Sequence, residues 1–569
     1  QLLPLLSSAG EAAPAASEIA FTFKLSAIDI FILVGAIAFN LSVGAFFARR
    51  QTGTKSYFLG GGTMPGWLVG FSITASMISA VTFLGIPGFS FKENWLWVLP
   101  NLSFLFLGFL CAYFIVPFFR KVNTPSGYAF LEHRYGVWAR VYAAVGFMSF
   151  NMIRLGVVLY ITGIALEEFI PFGQLLQWSE GAMGAEFPGL LHEPIFWVIL
   201  LFGAVATIYT MCGGFEAVVW TDFFQSMLFI FGGATLLPVI LYGISQTTDL
   251  SMFGSLQEIF SRAAAAGKLS FGSTEFTFHE IDGRKTVWVM ILSTLFMDAS
   301  NYTTRQDLIQ RYRAPKNLFH ARMAVIIGAC TVVPIWLYFN CLGTSLWAYY
   351  EINPDVTVET FRNVVPEKIV PYFMAQYLPT GLKGFFLAAI LTASLSTMAP
   401  MLNACTVTWV DDFYHRFIVR NKPDLHYMRV GRVSTCIIGI FMIVSALLIY
   451  AFRSQTLQNL QQTFAMICSM GLFGLFMVGF FSKRVGNRAA KYAACVVVPL
   501  GLLWTAAFFM KKDGMIPEWV WVPDIFWMTV LMNLIMIALA LLFAAFLPKE
   551  KRNLDNLTIH TVHENKDAQ

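Results

Sequence analysis

Apolar runs of about 18 or more residues, the length a helix needs to cross a ~30 Å hydrocarbon core, recur from one end of the chain to the other. They lie at 28–47, 66–89, 96–119, 141–166, 195–211 and 222–244, and then at 287–304, 323–349, 382–410, 433–452, 460–481, 492–509 and 525–546. The pattern predicts an all-α integral membrane protein of about 13 transmembrane helices. Polar inserts at 246–285 and 351–368 are expected to form short surface helices and loops. A single membrane domain over 26–547 follows, with tails at 1–25 and 548–569. The opening LLPLLSSAGEAAPAA reads either as the end of a signal-like segment or as an extracytoplasmic tail.

Cationic residues gather after alternate runs. They are Arg49, Arg50 and Lys55, then Arg120, Lys121, Arg134 and Arg140, then Arg305, Arg311, Arg313, Lys316 and Arg322. The series continues through Arg416 to Arg432, Lys483 to Lys491, and Lys549 to Arg552, whereas 167–193 has no Lys or Arg at all. Under the positive-inside rule this places the N-terminus outside and the C-terminus in the cytoplasm. At 57% hydrophobic and 12% charged the chain is no soluble protein, and its net charge of +5 sits in these loops, leaving no basic stripe for nucleic acid. The eight cysteines show no CxxC pairing and the eight histidines no HExxH, so neither a zinc centre nor an enzyme is expected.

Candidate chemistry lies inside the apolar runs. The stretch GFSITASMISAVTFLGIP at 70–87 crowds Ser72, Thr74, Ala75, Ser76, Ser79 and Thr82 at its centre, where a membrane helix can break and line a cavity. In LTASLSTMAPMLNA, Ala393, Ser396 and Thr397 stand at i, i+3 and i+4, so one carbonyl and two hydroxyls converge. The plain alternative is that these hydroxyls only bond back along their own helix. Paired with freed carbonyls of Ala75 and Ile78 they make about five neutral oxygens, a set suited to a hard monovalent cation such as Na+. Arg154 stands ~20 Å along its helix, deep enough that it reads either as the clamp for a solute carboxylate or as the partner of Asp298 or Asp222. Asp222 reads either as a helix cap or as a functional carboxylate; Asp298 reads as an ion-pair partner, a proton site or a cavity-lining acid.

Three segments carry a resemblance: YFLGGGTMPGW at 57–67, GGFEAVVWTDFFQ at 213–225 and RQDLIQRY at 305–312. They resemble the sodium:solute symporter family over about 28–546, and ASMISAVTF, IPGFSFKENW and NMIRLGVVLY are most similar to its bacterial sodium-coupled sialic acid symporters. The resemblance implies a leucine-transporter-like fold of two inverted five-helix repeats, here about 66–244 and 287–481. It implies a sodium site made by the carbonyls of Ala75, Ile78 and Ala393 with the hydroxyls of Ser396 and Thr397. It further implies substrate contacts from Ser79, Thr82, Asn101 and Arg154, with Tyr302 where related transporters carry an aromatic cover. Two departures stand out. Ala399 and Pro400 replace hydroxyls of a second sodium site that Asp222 and Ser396 would share, so that site is expected to be absent; Met77 replaces a threonine near the solute. The expected function is sodium-coupled import of a small organic solute, carboxylate-bearing such as sialic acid, by alternating access. A neutral sugar, a monocarboxylate or another small anion is the alternative, and sodium is the coupling ion in each case.

Overall fold

A computed structural model describes residues 25–48, 53–121, 126–167, 172–183, 189–274 and 286–451, most positions of 464–550 and a few beyond, to 562. Most of the N-terminal tail, Arg49, Arg50, the end of the 246–285 insert and the start of the run at 460–481 lie outside the described residues. Regular structure among the described residues is helical, with two isolated β-bridges. The principal helices are α1 (Ala27–Ala48), α2 (Gly66–Met77), α3 (Val81–Lys92), α4 (Val98–Lys121), α5 (Val137–Glu167), α6 (Pro194–Thr248) and α7 (Val287–Thr304). They continue with α8 (Gln306–Arg313), α9 (Leu318–Ile352), α10 (Leu382–Ile418), α11 (Asp424–Ala451), α12 (Leu472–Phe481), α13 (Asn487–Lys512) and α14 (Phe526–Phe546).

Among the described residues nine helices are long and apolar enough to cross a membrane, and α2 with α3, bent by 58°, makes a tenth. The 55-residue α6 would be ~80 Å long at about 1.5 Å per residue, far more than one span requires. It turns at Gly214, whose φ of 61° and ψ of −165° divide it where the sequence predicts two runs. Only glycine suits that elbow, because a Cβ there would lie 2.9 Å from the Tyr57 carbonyl oxygen at a positive φ. The 18-residue α7 falls on the run at 287–304; its Ser293, Thr294, Asp298, Ser300 and Thr303 are buried in the bundle, which is why it is less apolar than its neighbours. Large side chains such as Phe31, Phe106, Phe231 and Ile440 point outward, as expected of a lipid-facing surface.

Helix α10 is the centre of the bundle. Every residue from Phe386 to Val407 is buried, and α1, α2, α5, α6 and α11 pack around it, the arrangement expected of a helix without a polar face. Two breaks face this centre. The first leaves Ile78 extended (φ −98°, ψ 139°) between α2 and α3; the second leaves Arg305 extended (φ −77°, ψ 118°) between α7 and α8. These are the first runs of the two predicted five-helix units, so the same interruption occurs in each.

Helix α9 braces both halves of the first broken span. Its Gly343 lies so close to α3 that a Cβ would sit 2.2 Å from the Pro87 carbonyl oxygen and 2.7 Å from its Cα. A backbone neighbour cannot rotate away, so Gly343→Ala is expected to displace α3 and cost about 1–3 kcal/mol. Chemical denaturation in detergent measures this against Gly35→Ala, whose Cβ meets nothing within 4 Å and which should stay within about 0.5 kcal/mol. At the far end of α3 the polar insert forms the helix Met252–Ala265. Lys268 then donates from Nζ to the carbonyls of Phe91 and Lys92, at 2.8 Å each, capping the C-terminus of α3 with a positive charge.

Candidate functional site

The first break frees the carbonyls it was expected to free. In a continuous helix the Ser79 N–H would bond to the Ala75 carbonyl; here it donates instead to Thr82 Oγ1 at 3.3 Å. Residues more than three hundred positions away take up the released groups. Ser396 Oγ stands 3.2 Å from Ala75 O and 2.9 Å from Ala393 O. Thr397 Oγ1 stands 2.9 Å from Ile78 O and 3.2 Å from Ala393 O. All five expected oxygens therefore gather at one point, and each hydroxyl has one proton for two carbonyls within its reach. Neighbours on Thr392 and Ser394 do bond back along α10, at 2.7 and 3.0 Å, so the alternative holds there and only partly at Ser396 and Thr397. An ion of sodium's size, held at about 2.4 Å as calcium is, would need oxygen neighbours roughly 3.4 Å apart. The cage fits after an expansion of a few tenths of an ångström.

Beside it lies a cavity of about 200 Å³ whose walls include Met77, Ser79, Thr82, Asn101, Phe147, Arg154, Asp298 and Arg305. Ser79 Oγ accepts from the Val81 N–H at 3.1 Å while Thr82 Oγ1 accepts from the Ser79 N–H, a reciprocal cap at the start of α3. Both hydroxyls act as acceptors in these bonds, so each keeps its own O–H to donate to a bound molecule. Asn101 adds an amide from the first turn of α4. Arg154, midway along α5, has a guanidinium 5.9 Å from the Phe150 ring centre, a buried Nε without a hydrogen-bond partner, and no ion pair among the described residues. Neither of its two expected carboxylate partners meets it.

One expected contact is displaced. Tyr302 does not line the cavity: it is 2% exposed, stacks behind Phe104 at 4.6 Å and donates its hydroxyl to the Phe104 carbonyl at 3.1 Å. Phe104, which lines the cavity, presents the aromatic surface instead. Asp222 is no helix cap, since it lies within α6 beyond the elbow, bonded to the Ser72 hydroxyl and to Arg311 Nη2 at 2.9 Å. Arg311 in turn neighbours Asp307, which pairs with Arg305 at 2.6 and 3.0 Å. Two cations and two anions, all but Arg305 fully buried, thus form one network from the cavity to α2. The sequence reading missed Arg305 as a wall residue, since only the structure shows the second break that brings it there.

Residues 57–496 match the model of the sodium:solute symporter family. The chain is 30% identical to the sodium/sialic acid symporter SiaT of Proteus mirabilis over 465 residues, covering 81% of this chain and 86% of that one. It is 29% identical to the sodium/sialic acid symporter NanT of Aliivibrio fischeri over 466 residues, covering 82% and 85%. A solved structure of a Na+-coupled sialic acid symporter, substrate-bound and outward-open and described as revealing a novel Na+ site, superposes with a TM-score of 0.77 at 26% identity, covering 93% of this chain and all of that one. The matched breaks in α2–α3 and α7–α8 are those of a leucine-transporter-like fold of inverted five-helix repeats. This chain, a multi-span membrane transporter that couples solute movement to sodium, belongs to the sodium:solute symporter family.

Proposed function

We propose that the chain imports a carboxylate-bearing sugar acid of the sialic acid class, one sodium ion accompanying each solute. The observation that carries this reading is Arg154: a guanidinium facing the cavity beside the broken helix, with a buried Nε that has no hydrogen-bond partner and no ion pair among the described residues. A charge in that position is costly in a bilayer unless something neutralises it, and a planar guanidinium matches a carboxylate with two parallel bonds. Ser79, Thr82 and Asn101 supply further hydrogen bonds on the same walls. The sodium/sialic acid symporters similar to this chain transport that class of solute by their names.

In this reading the membrane domain spans 26–547 with the N-terminus outside and the C-terminus in the cytoplasm, and Ala75, Ile78, Ala393, Ser396 and Thr397 hold the ion. Sodium from outside bridges the break and α10, the solute binds next to it, and the bundle rocks inward around both. One sodium moving with a monoanion carries no net charge, so membrane potential adds nothing and a tenfold sodium gradient supplies about 1.4 kcal/mol.

Arg154→Ala is expected to raise the KM for N-acetylneuraminate by roughly a hundredfold, the loss of about 2–3 kcal/mol from a charge-assisted pair. Sodium binding without solute should be unchanged. Uptake of labelled N-acetylneuraminate into proteoliposomes measures the first, and sodium-dependent thermal stabilisation the second; an unchanged KM overturns the assignment.

A further inference from the structure

The solute cavity carries a second charge that none of the assignments above uses. Asp298 lies on α7, lines the cavity and is 4% exposed. Its Oδ2 accepts from the Ser103 hydroxyl at 2.6 Å, and its Oδ1 lies at the 3.5 Å limit from Asn301 Nδ2. Both partners are neutral. No cation forms an ion pair with it among the described residues; Arg305, on the same wall and near enough to act on it through space, gives its Nε and Nη2 to Asp307 and its Nη1 to Met77 Sδ. Among the described residues neither Arg154 on α5 nor Asp298 makes a direct ion pair, with each other or with a third group, although Asp307 and Arg305 lie near enough to act on them through space.

Opposite charges in a low-dielectric bundle gain most by pairing with one another. Two that share one cavity yet stay apart are set for a molecule that can reach both. A carboxylate offers about four lone-pair positions, and Ser103 and Asn301 take one each. We propose that Asp298 is a specificity-determining residue: its remaining lone pairs accept O–H or N–H donors from the end of the solute distal to the carboxylate that Arg154 holds. The inference rests on the solute class proposed above. It narrows that class to acids with a donor-rich tail, and it disfavours both short monocarboxylates and solutes whose far end is an acceptor or apolar. The donors come either from hydroxyls or from an ammonium group, and the two sources are separable.

The test is solute binding to the purified full-length protein in saturating sodium, for wild type and Asp298→Asn, which keeps an oxygen for Ser103. Three probes are used: N-acetylneuraminate, an analogue shortened so that its terminal hydroxyls are missing, and the de-N-acetylated amine. If hydroxyls are the donors, Asp298→Asn weakens N-acetylneuraminate by about 10- to 100-fold while the shortened analogue changes less than about threefold. If the donor is an ammonium, wild type prefers the amine and Asp298→Asn removes that preference. An equal change for all three probes, or no change for any, overturns the proposal; so does a variant that keeps every affinity and loses only the pH dependence of uptake, which would make Asp298 a proton site. Wild type that binds none of the three overturns the solute class itself, and this proposal with it.

Discussion

A Ser396→Ala/Thr397→Val variant is expected to lose sodium-dependent stabilisation and sodium-dependent uptake while remaining folded. The two hydroxyls are two of the five oxygens in the cage, and they reach the carbonyls of Ala75 and Ile78 across the break at 3.2 and 2.9 Å. With both hydroxyls gone three carbonyls remain, too few for a hard cation that takes about six oxygens when free to choose. The sodium affinity should fall by more than about tenfold, or 1.4 kcal/mol. The hydroxyls also bond the freed carbonyls when no ion is bound, so their removal should itself cost about 1 kcal/mol for each lost bond. That second cost is why sodium must be titrated, not merely added. Wild type should melt at rising temperature as sodium increases, following the linkage of a ligand to the folded state, and the variant should show a flat line from a lower start. A sodium-dependent shift of wild-type size in the variant places the ion elsewhere.

The cage was legible because its parts are local on each side. Spacing at i, i+3 and i+4 fixes a single helix face, so Ala393, Ser396 and Thr397 had to project together wherever α10 went. The hydroxyl-rich centre of the 70–87 stretch marked the break for a similar reason: Ser79 and Thr82 sit where their side chains cap the new helix start. What the pattern could not supply was which distant group each polar side chain would meet. Arg154 had two candidate carboxylates by depth alone and pairs with neither; Asp222 finds Arg311, 89 residues away. Tyr302 shows the same limit for aromatics, since a position one turn from Asp298 carries no information on whether the ring faces the cavity or packs behind Phe104. The elbow in α6 was legible only as two separate runs; the positive φ at Gly214 is what shows where it turns and why a glycine is required there.

Arg311→Met is expected to destabilise the protein more than any surface change can. Arg311 and Asp222 have fully buried side chains, and Asp222 Oδ1 already lacks a partner. The guanidinium donates from Nε to Ser72, from Nη1 to the Asp307 carbonyl and from Nη2 to Asp222. Taking it away leaves the Asp222 carboxylate with only a serine hydroxyl, and an uncompensated charge of that kind costs about 3–5 kcal/mol. The exposed pair of Arg262 and Glu258, at 2.7 Å, is the contrast: Arg262→Met should cost at most about 1 kcal/mol. The source of the penalty is the stranded charge, not the lost volume, so Asp222→Asn combined with Arg311→Met should recover a part of it, with a coupling of about 1–3 kcal/mol in a double-mutant cycle. Additive single effects would mean that the network is not an electrostatic unit. The same cycle followed by sodium titration asks a further question of the fold. Ser72 lies one turn before Ala75 on α2 and is gripped by both partners, while Arg305 at the other end of the network lines the solute cavity. If these charges hold the ion-binding end of α2 in place, Arg311→Met should weaken sodium binding as well as stability, and the double variant should restore the second without fully restoring the first.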